Sequence, residues 1–274
     1  AGCVKMRRCF VVPLVWCSLL VPTVTRAAAS RLERRLKAEA LFRSARSSKG
    51  SKNSKKYLDS ADVFEELAMT SETPVEETLR AAEAVIAFMR KETRGNTITI
   101  DGCLDTPGHK RIWRAHGPRA LKLARSALNE RPQDVRCAAA YADAFMFEGS
   151  AKGLVKQALT GAGAKFKENA LRVQRLDPTF DAGVGYTLEG CFYIVAPWPV
   201  KNPQKAMALL KRAVHVAPHS RRNRYTLAVC SYITGDLDLA KSEFQATLKC
   251  RPSGNDVDFA DFLEHEAHRV LSLL

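Results

Sequence analysis

The chain has 274 residues, of which 46% are apolar, and a formal net charge of +14. This composition is sufficient for a hydrophobic core and for one or two domains. The positive charge is concentrated in residues 1–58, which hold 14 Lys/Arg against 2 Asp/Glu, whereas residues 59–274 hold 29 against 27. Because the larger part lacks a domain-wide basic surface, we do not expect it to bind nucleic acid.

The first 30 residues have the order of regions found in a targeting peptide. Arg7 and Arg8 precede the apolar run Cys9–Pro22, and the small residues Ala27–Ala29 follow it. At 14 residues the run is too short to span a bilayer, so no stable transmembrane span is expected. We expect residues 1–29 to be removed as a signal or lumenal transfer peptide, with a retained anchor or a structural helix as alternatives. Cleavage would place the protein in a thylakoid lumen, a periplasm-like space or a secretory compartment, and not in the cytosol.

Residues 30–56 are expected to form a basic flexible linker, because Ser44–Lys56 is rich in Ser, Lys and Gly. The folded domain is then expected over residues 57–274. Apolar spacing and turn residues predict its helices in chain order. They are Leu58–Met69, a helix from Pro74 to just before Arg94, Lys110–Arg131, Asp134–Glu148, Lys152–Leu176, Asp181–Val195, Pro203–Val216, Arg221–Ile233, Leu237–Lys249 and Val257–Leu274.

One stretch breaks the helical pattern. In Thr97–Gly108 the residues Thr-Ile-Thr-Ile alternate, and Asp-Gly and Pro-Gly mark turns. A long irregular connection between helices is often functional. The five cysteines outside the targeting segment include no Cys-x-x-Cys pair, and we interpret them as packed free thiols.

The segment Ser220–Pro252 is the most informative part of the chain. Its first helix carries Leu227 and Ala228, Gly235 and Asp236 form a turn, and Pro252 follows a second helix with apolar residues at helical spacing. This pattern resembles a tetratricopeptide repeat (TPR), a helix-turn-helix unit of about 34 residues. Related helices end at Pro132, Pro178, Pro218 and Pro252, at spacings of 46, 40 and 34 residues. The resemblance implies an all-α, right-handed α-solenoid of about four TPR-like hairpins with flanking helices.

In TPR proteins the first helix of each hairpin lines a concave groove. By this analogy, two first helices supply partner-binding candidates that combine Arg and aromatic side chains, which are typical of interface hot spots. The candidates are Arg136, Asp143, Met146, Arg222, Tyr225 and Tyr232.

A further candidate is Trp198, which lies between two prolines in the loop Val195–Pro203. Its ring is expected either to pack over the neighbouring hairpin or to face a partner, and packing is the favoured interpretation. The motifs around this loop, among them Leu176-Asp-Pro and Asn202-Pro-x-Lys-Ala, resemble a bacterial-type repeat group. That group includes the periplasmic T component of tripartite solute transporters, and the resemblance covers about Leu176–Leu271.

No catalytic set can be assembled from the sequence. Cys103 and His109 lack a third orienting group, and the histidine pairs lack the spacing of a metal site. We therefore expect a protein that is not an enzyme, has no metal or other cofactor, and binds a protein partner in its groove. The alternative is an accessory solute-binding component working with a membrane transporter. A small-molecule pocket closed by Thr97–Gly108 would favour the alternative, and an open groove would favour the scaffold.

Overall fold

The computed structural model describes residues 17–153 and 161–274, and almost all regular structure there is helical. This confirms the predicted all-α solenoid. The α-helices of the described part are α1 Cys17–Ser47, α2 Lys55–Met69, α3 Val75–Glu92, α4 Pro107–Glu130, α5 Val135–Ser150, α6 Ala162–Leu176, α7 Phe180–Val195, α8 Pro203–Val216, α9 Arg221–Ile233, α10 Leu237–Lys249 and α11 Ala260–Leu271. Residues 154–160 of the predicted helix Lys152–Leu176 lie outside the described residues.

Consecutive helices pack against each other as hairpins α1/α2, α3/α4, α5/α6, α7/α8 and α9/α10, and α11 covers the end of the stack. The first helices form an inner row, in which α3 contacts α5, α7 contacts α9, and α9 contacts α11. The described chain thus has five hairpins, one more than the approximate number expected. The additional hairpin is formed by α1 and α2.

The expectation of a flexible linker over residues 30–56 is wrong for residues 30–47, which belong to α1. Ala38, Phe42 and Ala45 are buried, and the Arg80 guanidinium donates to both carboxylate oxygens of Glu39 at 3.0 and 2.6 Å. The small and aromatic residues of α1 lie at helical spacing on one face, while many of its basic residues occupy the other faces. The composition of residues 30–47 is therefore similar to that of a solvated linker, although they form a helix. Within residues 30–56, only residues 48–54 form turns and bends, and Lys55 and Lys56 belong to α2.

Side-chain caps explain why the C-terminal helices begin where the sequence predicts. Asn202, Ser220 and Asp236 each accept a hydrogen bond from a backbone N–H in the first turn of α8, α9 and α10. Such a bond satisfies one of the donors that a helix start leaves free. The structure reproduces the predicted bounds of these three helices.

The described residues form two large apolar cores along the solenoid and a smaller cluster of Ala38, Phe64, Leu67 and Ala81. The first joins α1–α5 with the facing residues of α6 and α7, and the second joins the end of α7 with α8–α11. Helices α7 and α8 approach so closely that a Cβ on Gly190 would lie 2.8 Å from the Leu210 side chain. The α3–α4 connection contains a small antiparallel hairpin, β1 Ile98–Thr99 and β2 Gly102–Cys103. Ile98 belongs to the second core, so this hairpin reaches from the first half of the solenoid to the second.

Candidate functional site

The concave face of the solenoid is occupied by the chain's own connection between α10 and α11. Residues Gly254–Asp258 form a 3-10 turn, here called the closing turn, which lies against α3 and α7. The next residue, Phe259, places its ring on Gly95, where an added Cβ would lie 3.0 Å from the ring. Gly95 also has a φ of 70°, which favours glycine. The part of the predicted groove between α3 and α7 is thus filled from within, while a cavity of about 200 Å³ beside Arg136 and Asp143 remains.

Polar contacts fix the closing turn at both ends. The Tyr57 hydroxyl donates to Asp258 Oδ1 at 2.5 Å, and the Arg90 guanidinium lies 3.5 Å from Asp258 Oδ2. Arg222 pairs with Asp256 at 3.3 Å, and Asn255 Nδ2 donates to Asp181 Oδ2 at 3.1 Å. Tyr57, Arg222, Asp256 and Asp258 are buried, so each needs its partner to offset the loss of hydration.

The charges of this cluster respond differently to burial. Burial opposes ionisation of Asp181, but attraction to Arg222 and Arg90 outweighs it and holds the pKa of Asp181 below its usual value. Burial is the dominant influence on Asp256 and raises the pKa of its carboxyl despite the neighbouring Arg222. Burial also raises the pKa of the Tyr57 hydroxyl, and the negative charge of Asp258 adds to the effect.

The start of α7 is held in an unusual backbone conformation by the same cluster. Asp181 and Ala182 adopt φ values of 44° and 60°, which are uncommon for residues other than glycine. Arg222 donates to the Asp181 carboxylate and carbonyl, and Asn223 Nδ2 donates to the Ala182 carbonyl at 2.8 Å. Backbone strain of this kind persists only where the surroundings fix it.

Two of the three predicted groove residues of α9, Tyr225 and Arg222, are buried and not available to a partner. Tyr225 is fully buried, and its hydroxyl donates to the Ile98 carbonyl at 3.1 Å. Arg222 is buried in its ion pairs with Asp181 and Asp256. Tyr232 is half-buried against the second core. The groove positions of this helix thus hold the C-terminal half together, because the closing turn and β1 lie where a bound segment would.

The predicted residues of α5 have separate roles. Arg136 pairs with Glu76 and Glu83 at 3.1 Å each on the inner row. Asp143 pairs with Arg90 at 2.5 Å, which joins α5 to the buried cluster. Met146 is half-buried and is the one α5 candidate that lines the apolar cavity described next.

An apolar cavity of about 450 Å³ lies between the β hairpin, the end of α5, α6, the end of α7 and the loop after α7. Its walls combine aromatic, aliphatic and thiol side chains with proline rings. The residues central to it are Ile98, Cys103, Met146, Phe166, Cys191, Phe192, Val195, Trp198 and Pro199. The volume lies within the range of about 300–1,000 Å³ that is typical of small-molecule sites.

The polar groups on the cavity wall are already paired or neutral. Asp105 forms an ion pair with Lys110 at 2.7 Å, and Asn96 Nδ2 donates to Ser150 Oγ at 2.8 Å. Burial raises the pKa of Cys103 to about 11 and that of Cys191 to about 12, so both thiols stay protonated near neutral pH. The cavity wall therefore favours an apolar, uncharged ligand.

Trp198 lies at the edge of this cavity with 88% of its surface exposed. The expectation that it packs over the neighbouring hairpin is wrong. The loop that carries it connects α7 and α8, and the ring faces solvent. Val200 in the same loop is also exposed.

Sequence reasoning found part of this site. The irregular pattern of Thr97–Gly108 signalled the segment that supplies Ile98, Cys103 and Asp105 to the cavity. It missed the closing turn, because an Asp-rich stretch after a helix-ending proline looks like any solvated loop. It also missed Phe166 and Cys191, which follow the ordinary helical pattern.

The described residues contain no helix long and apolar enough to cross a membrane. No family model and no curated protein matches the chain. Among solved structures, it resembles the crystal structure of TTC0263, a thermophilic TPR protein of Thermus thermophilus, with a TM-score of 0.55 and 16% identity. The match covers 80% of this chain and 92% of that one. At this identity the likeness shows the TPR-like fold alone.

Proposed function

We propose that the protein is a non-enzymatic scaffold that binds a protein partner through one edge of its solenoid rather than through the concave groove. The TPR-like fold supports the scaffold role. The observation that carries the choice of surface is the exposed Trp198, held between two prolines beside an apolar cavity. An exposed tryptophan over a pocket has the character of an interface hot spot, since its ring loses much hydrated surface on binding.

The same edge carries further exposed apolar residues. Trp198 and Val200 lie in the α7–α8 connection, and Ile233 and Leu237 flank the α9–α10 connection, with exposures of 88, 46, 37 and 50%. Connections within hairpins lie on one edge of a stack of hairpins, so these residues form a discontinuous apolar edge. We call these four residues the loop edge.

Site-specific photo-crosslinking tests this proposal. A benzophenone amino acid at position 198 should crosslink a protein partner in the native compartment, and Trp198→Ala should abolish capture of that partner. Met69 is the matched control, because it is 82% exposed but lies at the end of α2, next to a connection between hairpins. Equal crosslinking from positions 69 and 198, or undiminished capture by Trp198→Ala, would contradict the proposed surface.

A second candidate function is that of an accessory solute-binding component working with a membrane transporter. One observation favours it, namely that the β hairpin of the α3–α4 connection forms a wall of the cavity. Binding of a small molecule copurifying with the native protein, lost when the cavity is filled, would support it.

We also propose that the mature protein works in an exported or organellar compartment after removal of residues 1–29. The order of basic, apolar and small residues before Ser30 supports this. Amino-terminal sequencing of the native protein should begin near Ser30, and a sequence that reads through Cys9–Pro22 would contradict the proposal.

A further inference from the structure

A second, smaller cavity lies next to the apolar cavity. This smaller cavity of about 100 Å³ shares Ile98, Met146, Phe166 and Cys191 with it. The smaller cavity lies between the β hairpin and α7 and is also lined by Arg222 of the ionic cluster. The two sets of walls therefore follow one direction, which suits an extended group better than a compact one.

The pairing of polar groups in the cavity walls further restricts the class of ligand that can bind. Most charged groups at the inner end pair with one another, since Arg222 pairs with Asp181 and Arg90 pairs with Asp143. The Nε of Arg222 has no hydrogen-bond partner among the described residues, but it is buried out of contact with solvent. The outer acid Asp105 is paired with Lys110, and Asn96 is paired with Ser150. A polar or charged ligand group would lose its hydration on entry without gaining a free partner from these residues.

We propose that the cavity binds an unbranched, uncharged hydrocarbon chain of a small amphipathic molecule, whose polar head stays at the edge beside Trp198. The proposal rests on the second candidate function, that the cavity takes a small molecule, and specifies the class of that molecule. The flat apolar ring of Trp198 and the neighbouring proline rings would cover the first carbons of the chain, where it enters from solvent.

Chain length provides the decisive measurement. If each carbon enters an apolar wall, each added CH₂ should tighten binding about fourfold, the equivalent of ~0.8 kcal/mol per buried methylene. Isothermal titration of the full chain with 1-hexanol, 1-octanol and 1-decanol should therefore give dissociation constants that fall by about 15-fold per step. Octanoate and octyltrimethylammonium should bind with affinities similar to 1-octanol, because their heads remain outside.

The location is tested with a matched pair of variants. Ala164 lines the cavity and is exposed, so Ala164→Trp can fill the space without displacing core residues. Ala115 is an exposed residue of α4 outside the cavity lining, and Ala115→Trp makes the same exchange there. Ala164→Trp should weaken 1-decanol binding at least tenfold, while Ala115→Trp should leave it unchanged.

The fluorescence of Trp198 provides an independent readout of binding at the cavity edge. 2-Bromodecan-1-ol, whose bromine lies next to the polar head, should quench tryptophan fluorescence in the native chain, and the quenching should disappear in Trp198→Phe. The inference is overturned if no alcohol binds, or if Ala164→Trp and Ala115→Trp behave alike. Affinity that is flat with chain length but sensitive to Ala164→Trp overturns the hydrocarbon chain while leaving a small-molecule site. Failure of every probe, with partner capture blocked by Ala164→Trp, overturns it in favour of a protein segment in the cavity.

Discussion

Tyr57 and Asp258 are 201 residues apart in sequence, yet the tyrosine hydroxyl donates to the aspartate carboxylate at 2.5 Å in the interior. This bond connects α2 in the first hairpin to the closing turn near the C-terminus. Together with the Arg90 contacts, it converts an open concave face into one closed by the chain itself. Arg222 and Tyr225, which a TPR-like groove would offer to a partner, thus hold the protein together.

Tyr57→Phe should lower the free energy of unfolding by about 1.5–3 kcal/mol, the usual range for a hydrogen bond to a charged group. The loss leaves Asp258 buried with Arg90 as its remaining ionic partner. Urea denaturation measures the change. Tyr141→Phe is the control, because no partner of the Tyr141 hydroxyl is found among the described residues. If both variants are equally stable, the Tyr57–Asp258 bond does not close the groove.

Asp181→Asn should destabilise the protein by roughly 3–5 kcal/mol at neutral pH, because Arg222 loses a buried partner. The pKa of Asp181 is lowered in the folded state, so its contribution exists above the unfolded pKa and is lost as the pH falls through the folded pKa. The difference between wild type and variant should therefore shrink in acid. Denaturation series from neutral to acidic pH measure it.

Asp256→Asn should show the opposite pH trend. The pKa of Asp256 is raised in the folded state, so the stabilising effect of this carboxyl is full below the unfolded pKa and is lost as the pH rises through the folded pKa. Wild type should gain stability relative to Asp256→Asn in acid. Parallel pH profiles for the variants at 181 and 256 would contradict the assigned charges.

Tyr225→Ala should destabilise the protein by about 3–5 kcal/mol, the cost of removing a large aromatic side chain from a core. Tyr225 is fully buried and lies edge-on to Phe244 at 5.8 Å between ring centroids. Trp198→Ala should change stability by no more than about 0.5 kcal/mol, as expected of an exposed position. The melting midpoints from thermal denaturation distinguish the two variants. Comparable losses would show that Trp198 has a structural role.

Ala240→Leu should cost roughly 1–3 kcal/mol through overpacking of the contact between α9 and α10. Ala240 is fully buried at the position where the TPR-like pattern demands a small residue. Ala115→Leu, the same exchange at an exposed helical site, should have almost no effect. An unchanged melting midpoint for Ala240→Leu would show that the helix contact is looser than described.

Deletion of residues 1–29 should leave the melting midpoint unchanged, whereas deletion of residues 1–56 should strongly destabilise the protein. The longer deletion removes Phe42 and Ala45 from the first core and the ion pair of Glu39 with Arg80. Differential scanning calorimetry of both truncations measures this. Equal stability would restore the interpretation of residues 30–56 as a linker.

The sequence by itself determined the helical repeat and the ends of the C-terminal helices. Asn202, Ser220 and Asp236 cap helices through bonds to residues three positions away, and helical apolar spacing spans only a few turns. These interactions are local, so residue order is enough to reveal them. The irregular segment after α3 was recognisable for the same reason.

Only the tertiary structure decided what fills the groove and which residues remain free. Arg222 and Tyr225 have the composition of a binding surface, but their partners Asp181, Asp256 and Ile98 lie elsewhere in the chain. Nothing in the local pattern distinguishes an arginine that awaits a ligand from one already paired within the fold. Burial and pairing depend on which distant segments meet, and that follows from the packing of all the hairpins together.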